Sequence, residues 1–159
     1  MTLRLQPGLA VSQEKLNNAW TICRQRLPML AARIIPAEKK DDVRFAISTE
    51  DLSQDAVRLV AQGTADDLIS QLLGPERELD DQHQSRCFAI AASPDSLDLF
   101  FLLSHSIGDG VSSVLLARAF CDALAAKAVP ATFGNEELAT VLATVPCLDS
   151  LISHQLGKR

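Results

Sequence analysis

The sequence predicts a single α/β domain in which helices pack against a sheet to form two layers. The chain has 159 residues, of which 47% are hydrophobic and 22% charged, as expected for one globular domain. Segments with the period of an amphipathic helix are interspersed with short apolar or alternating segments typical of strands. The predicted order is helix, strand, strand, helix, strand, strand, helix, helix.

The composition excludes several classes of protein. The formal net charge is -5, which argues against binding to nucleic acid or to an anionic membrane surface. Aromatic residues make up only 4% of the chain, so a base-stacking platform is disfavoured. The longest apolar stretch, near 97–103, is far shorter than the ~18 residues that a membrane helix needs. No signal peptide is visible, and we expect a cytoplasmic protein with no membrane partner.

The four cysteines are too widely spaced to form a zinc motif. They are Cys23, Cys87, Cys121 and Cys147, and each lies in an apolar segment. We therefore expect buried thiols in a reducing compartment and no metal site.

The first helix begins after Ser12, a favourable N-cap residue, and ends at Pro28. Hydrophobic residues recur between them at helical spacing: Leu16, Ala19, Trp20, Cys23 and Leu27. A strand is predicted over 29–35. A second strand is predicted over 43–47, where apolar and polar residues alternate. The charged segment 38–42 is predicted to form a solvated turn between them.

A short helix is predicted to begin at Thr64, because Thr64 and Asp67 have the spacing of a capping box. Gly74 and Pro75 end it, and the polar segment 76–86 is predicted to be a loop.

Two apolar segments, 87–92 and 97–103, flank the turn-forming residues 93–96 and predict a β-hairpin. The second segment is almost entirely apolar, so we expect a central strand covered on both faces. A long helix follows from Val111 and stops before Pro130. A last helix is predicted over 136–145.

The segment 104–110, Ser-His-Ser-Ile-Gly-Asp-Gly, lies between the buried strand and the long helix. Side chains at such a junction are positioned by rigid elements on both sides. The imidazole of His105 can accept a proton from a hydroxyl or a thiol near neutral pH. Asp109 can orient that ring or pair with a cation. A structural alternative is a simple turn in which Asp109 caps the following helix.

These residues resemble the His-His-x-x-x-Asp-Gly motif of the chloramphenicol acetyltransferase-like superfamily, which includes condensation domains and fungal-type alcohol O-acetyltransferases. The segment 26–33 is similar to an Arg-His-Pro-x-Leu-Arg-like stretch of that family. The segment 145–151 resembles the Pro-rich segment where such enzymes cross to their second half. The resemblance covers about 5–156. It implies one chloramphenicol acetyltransferase-like domain over 1–159, with a mixed sheet and helices on one face, equivalent to the N-terminal half only.

The resemblance also implies roles for individual residues. His105 matches the general base that deprotonates the acceptor. Asp109 matches a residue that holds the loop through a salt bridge, and Arg26 is its expected partner. Gly110 matches the motif glycine that keeps the channel to the histidine open.

This sequence departs from the family pattern at two places. Ser104 replaces the first histidine of the motif, and Ser104 and Ser106 are candidates to contact substrate. Leu27 and Ala31 replace the histidine and second arginine of the upstream stretch.

The function implied is transfer of an acetyl or other acyl group from acyl-CoA, a co-substrate, to a hydroxyl or amine of a small secondary metabolite. No other cofactor is expected. Family members place their channel between two related halves, so a homo-oligomer or a second chain is expected to supply the missing half. Two alternatives remain open: a truncated or degenerate half-enzyme that needs a partner chain, and a non-enzymatic binding module on the same fold.

Overall fold

The computed structural model describes residues 1–4, 11–36, 43–61, 63–76, 78–93, 96–126 and 129–144. Over these ranges the chain has the predicted α/β architecture. The strands are β1 (Thr2–Arg4), β2 (Arg33–Pro36), β3 (Val43–Ala46), β4 (Arg58–Val60), β5 (Ser85–Ser93) and β6 (Ser96–Leu103). The helices are α1 (Gln13–Arg26), α2 (Asp51–Gln54), α3 (Ala65–Leu72), α4 (Gly110–Ala125) and α5 (Asn135–Thr144). A 3-10 turn, Pro28–Ala31, follows α1.

The main sheet is mixed and has the strand order β1-β6-β5-β4. Strand β6 is antiparallel to both of its neighbours, whereas β4 runs parallel to β5. The predicted hairpin is confirmed, and Ser93 pairs with Ser96 at its turn. Strands β2 and β3 form a separate antiparallel pair. The expected central position of β6 is therefore correct.

One face of β6 packs against α1 and α4 in the main core. The Phe101 ring lies 6.1 Å from that of Trp20 and 5.4 Å from that of Phe120, measured between centroids. Trp20 and Phe120 are fully buried, as are Leu99 and Leu116. Alternate side chains of a strand point to opposite faces. Phe100, which lies between Leu99 and Phe101, therefore points to the other face of the sheet.

The opposite face of the sheet is covered by the short helix α3. Leu68 of α3 packs with Phe88 and Ile90 of β5, and Phe100 and Leu102 of β6 border this cluster. Strand β6 is thus covered on both faces, as its apolar sequence predicts. The two long helices share one face, in agreement with the expectation, and α3 adds a smaller layer on the other.

Two helix N-termini follow the predicted capping. The Ser12 hydroxyl accepts a hydrogen bond from the backbone N–H of Lys15 at the start of α1. At α3, Thr64 and Asp67 form both halves of a capping box. These bonds satisfy backbone donors that the first turn of a helix leaves free.

The structure corrects the predicted strand 29–35. Pro28 starts a 3-10 turn, in which the Ala32 N–H donates to the Met29 carbonyl, and the extended chain begins only at Arg33. Helix α2 and strand β4 were not predicted, and β5 begins inside the predicted loop 76–86. The predicted turn 38–42 lies outside the described residues. In the described ranges, no helix is long and apolar enough to cross a membrane.

Candidate functional site

The motif segment 104–110 connects the end of β6 to the start of α4 and is anchored to the buried residue Gln84. The Ser104 N–H donates to the Gln84 carbonyl oxygen over 2.8 Å. The Ser106 hydroxyl donates to Gln84 Oε1 over 3.2 Å, and the two serine Oγ atoms are 2.7 Å apart. Both serines therefore hold the loop. Their contact with a substrate stays a prediction.

His105 is exposed at the tip of this loop, and one ring nitrogen is engaged by the loop backbone. Its Nδ1 lies 3.2 Å from the carbonyl oxygen of Gly108. A carbonyl oxygen can only accept, so this hydrogen bond requires the hydrogen on Nδ1. In the neutral ring, Nε2 then carries the lone pair. His105 is therefore held in the form that can accept a proton at Nε2.

Asp109 is the N-cap residue of α4. Its Oδ1 accepts hydrogen bonds from the Ser112 N–H and the Ser112 hydroxyl, each over 2.8 Å. These hydrogen bonds hold the pKa of Asp109 below its usual value, so the carboxylate is charged at neutral pH. We expected an ion pair between Asp109 and Arg26, but the ion pairs of the described residues do not include it. The helix-cap alternative accounts for Asp109, because Ser112 lies within its reach.

Arg26 is nevertheless close to the motif segment, across a cavity of about 200 Å³. Arg26 and the 3-10 turn line one side of this cavity, and Ile107, Gly108 and Ser112 line the other. The two segments that resemble the acyltransferase family are therefore neighbours in space. The cavity has an almost entirely apolar lining, with Arg26 as the charged group on it.

The two motif glycines occupy different surroundings. A Cβ atom at Gly108 would lie 3.3 Å from the Ser112 Cβ, which is closer than most such contacts. A Cβ atom at Gly110 would meet nothing within 4 Å outside its own helix, and the role of Gly110 in keeping a channel to His105 open stays a prediction. Sequence reasoning missed the contribution of Gly108 to the histidine and that of Gln84 to the loop. The three-residue spacing of Asp109 and Ser112 could have predicted the helix cap. Nothing in the sequence predicts that Gln84 binds the loop.

An apolar surface adjoins the motif on the first turns of α4. Val111, Val114 and Leu115 have 68%, 71% and 58% of their surface exposed. Contiguous exposed apolar residues are a common feature of binding surfaces. This exposed face of α4, which directly follows the motif segment, is thus suited to contact another molecule.

Among the residues that the structure describes, the remaining candidates do not form a second reactive centre. His83 Nδ1 lies 2.9 Å from Asp80 Oδ1, and His154 and Cys147 lie outside the described residues. Burial raises the pKa of Cys23 to about 12 and also raises that of Cys87, so these thiols stay protonated at neutral pH. The part of the chain that the structure describes contains no cluster of three or more residues able to hold a metal ion.

No protein-family model and no curated protein matches the sequence. Solved structures do match the fold. The X-domain in its complex with OxyB from teicoplanin biosynthesis has a TM-score of 0.60 and 19% identity, covering 88% of this chain and 31% of that one. The structure describing condensation domain-mediated chain release from the enacyloxin polyketide synthase has a TM-score of 0.54 and 19% identity, covering 97% and 32%.

A third match is the SgcC5 protein from Streptomyces globisporus, in complex with (R)-(-)-1-(2-naphthyl)-1,2-ethanediol and sucrose. Its TM-score is 0.59 at 17% identity, with 91% of this chain and 35% of that chain covered. The chain spans about a third of the length of these structures. At this level of identity the likeness concerns the fold. The chain therefore has a condensation-domain-like α/β fold, found in proteins of secondary-metabolite biosynthesis.

Proposed function

We propose that this chain is one lobe of an acyltransferase in which His105 acts as the general base. The observation that carries this proposal is the hydrogen bond between His105 Nδ1 and the Gly108 carbonyl oxygen. It leaves Nε2 as a proton acceptor on an exposed loop, which is what deprotonation of a bound nucleophile needs.

The proposed reaction transfers an acyl group from the thioester of acyl-CoA to a hydroxyl or amine. Nε2 of His105 takes the proton as the acceptor oxygen or nitrogen attacks the thioester carbonyl carbon. The tetrahedral intermediate then expels the CoA thiolate, and the imidazolium returns a proton to that sulfur. Asp109 and Ser112 serve this step indirectly, because their cap fixes where the loop joins α4.

We further propose that a second polypeptide surface completes the site. The exposed apolar residues Val111 and Val114 directly follow the motif segment on α4. A second copy or a partner chain on this side would bury them and supply groups that bind the thioester and the oxyanion. The acceptor we favour is a small secondary metabolite with a hydroxyl group; a bound diol in the SgcC5 structure supports that choice.

A second candidate function is a non-enzymatic module that binds another protein. Two observations favour it: the exposed apolar face of α4, and Ser104 at the position where the acyltransferase motif has its first histidine. Among the matched structures, the X-domain forms a complex with OxyB. In this case His105 would have no chemical role.

An assay of thioester consumption separates the two candidates. Purified protein is incubated with acetyl-CoA and a panel of small alcohols and amines, and the release of free thiol is followed while light scattering gives the mass. The enzyme predicts thiol release by an assembly larger than 17.2 kDa, lost in His105→Ala. The binding module predicts no release, with equal binding of a partner protein by the wild type and by His105→Ala.

A further inference from the structure

A second cavity, of about 360 Å³, is lined by an unusual group of arginines. It lies where the end of α1, the start of β2, helix α2 and the start of β5 meet. Its charged lining consists of Arg24, Arg33, Arg86, Asp51 and Asp55, and most of the remaining lining is also polar. None of these residues takes part in the proposed acyl transfer.

Both carboxylates of the cavity are already paired with arginines, and Asp55 is shared between two of them. Asp51 Oδ2 lies 3.1 Å from Arg33 Nε, and Asp55 Oδ1 lies 2.7 Å from Arg86 Nη1. Three guanidinium groups therefore face two carboxylates, which leaves one net positive charge. His83 also lines the cavity, but its Nδ1 is engaged by Asp80.

Arg24, whose side chain is only 7% exposed, shares the Asp55 carboxylate with Arg86 as its counterion. Its Nη2 donates to the backbone carbonyl of Asp51. Its Nη1 forms an ion pair with Asp55 Oδ2 at 3.4 Å, in which neither atom has a hydrogen bond. Nε of Arg24 and Nε of Arg86 are buried and also have no hydrogen-bond partner. Buried donors without acceptors are costly, and a buried charge without a counterion is more so. Arg24 and Arg86 are therefore two buried cations that share one carboxylate.

We propose that this cavity binds a phosphate group. A phosphate brings a charge between about -1.5 and -2 near neutral pH and acceptor oxygens in several directions. These properties suit a positively charged cavity whose donors come from three different elements of the fold. A carboxylate has two oxygens in one plane and matches a single guanidinium edge better. The phosphate is either the free ion or the phosphate ester of a small molecule, since both present the same group.

Calorimetric and thermal titrations with inorganic phosphate and with glycerol 3-phosphate test the proposal, with acetate and chloride as control anions at equal ionic strength. Phosphate is kept below about 10 mM, because higher concentrations stabilise many proteins through exclusion from their surface. We expect saturable binding, and an increase in Tm of about 3–6 °C for each tenfold rise in phosphate above the Kd. Tighter binding of glycerol 3-phosphate identifies an ester as the ligand, and tighter binding of inorganic phosphate identifies the free ion.

Variants locate the binding in this cavity. Arg33→Gln changes a partly exposed arginine of the cavity and should weaken phosphate binding about tenfold or more. Arg118→Gln is the matched control, because Arg118 is a highly exposed arginine on α4, and it should bind as the wild type does. Arg24→Met should abolish binding; if it does not fold, Arg33→Gln still decides. The proposal is wrong if no saturable binding occurs, if Arg33→Gln binds as tightly as Arg118→Gln, or if acetate binds as well as phosphate.

Discussion

The carbonyl oxygen of Gly108 lies 3.2 Å from Nδ1 of His105, three residues earlier in the same loop. Because the partner is a carbonyl, the contact selects one tautomer of the neutral imidazole. The loop backbone thus does for this histidine what a carboxylate does in many catalytic sites. In the same turn, a Cβ atom added at Gly108 would lie 3.3 Å from the Ser112 Cβ.

The tautomer of His105 is directly measurable. We expect the neutral ring to carry its hydrogen on Nδ1, so that Nε2 has the nitrogen chemical shift of an unprotonated imidazole in a long-range nitrogen–proton NMR spectrum. The chain has three histidines, so comparison with His83→Ala and His154→Ala assigns the signals of His105. A neutral His105 ring that carries its hydrogen mainly on Nε2 would contradict the proposed hydrogen bond.

Asp109 should stabilise the protein as a helix cap and not as an ion pair. Asp109→Ala removes the acceptor for Ser112 and should lower Tm by a few degrees, whereas Asp109→Asn keeps a good N-cap and should stay close to the wild type. Arg26→Ala should leave Tm unchanged, since Arg26 is exposed and makes none of the described ion pairs. Equal losses in Asp109→Asn and Arg26→Ala would instead point to a salt bridge. Differential scanning calorimetry of the three variants measures this.

Local features of this fold could be predicted from the sequence, whereas contacts between distant segments could not. The caps at Ser12 and Thr64 involve atoms within one turn of the chain, so residue spacing is enough to predict them. The apolar run of β6 likewise predicts a central strand. The predicted ion pair of Arg26 with Asp109, by contrast, would require two distant segments to pack together. Asp109 instead accepts hydrogen bonds from Ser112, three residues along the chain.

Several elements could not be predicted because tertiary contacts determine them. Helix α2 has only four residues. Its first residue, Asp51, accepts hydrogen bonds from Ser48, three residues earlier, and from the distant Arg33 of β2. Strand β4 has three residues and is stabilised by parallel pairing with β5. A strand was predicted to begin at Met29, but a 3-10 turn forms there. Its hydrogen bond from the Ala32 N–H to the Met29 carbonyl holds the chain in a turn. The position of Gln84 under the motif loop is likewise a product of folding.

Asp55 should be the most sensitive charged residue for stability. It is nearly buried and pairs with Arg86, with Arg24 close by. Asp55→Asn leaves both guanidinium groups without their carboxylate and should cost about 3–5 kcal/mol of unfolding free energy. The control is Glu78→Gln, which breaks the more exposed pair with Arg58 and should cost less than about 1 kcal/mol. Urea denaturation measures both; similar losses in the two variants would contradict the buried network.

Stability should fall in acid partly through Asp51. Burial alone would raise the pKa of Asp51, but hydrogen bonds from Ser48 and the nearby Arg33 outweigh it and hold that pKa below its usual value. The folded-state pKa is then below the unfolded value of about 3.9, so the stabilisation is complete above that pH. It is lost as the pH falls through the folded-state pKa.

The variant Asp51→Asn isolates this contribution. It should be less stable than the wild type at neutral pH, and the difference should shrink as the pH is lowered below about 4. Urea denaturation at several pH values gives the two curves. A difference that stays constant down to pH ~2 would show that the Asp51 carboxylate does not contribute through its charge.

The central claim is that His105 removes a proton from the acceptor during acyl transfer. Its most direct test is the second-order rate constant for acyl transfer to a hydroxyl acceptor, compared among the wild type, His105→Ala and His83→Ala with their folding checked. We predict that His105→Ala lowers the rate about 10²–10⁴-fold, that added imidazole restores part of it, and that His83→Ala has no effect. Equal rates in the wild type and in His105→Ala would contradict the claim.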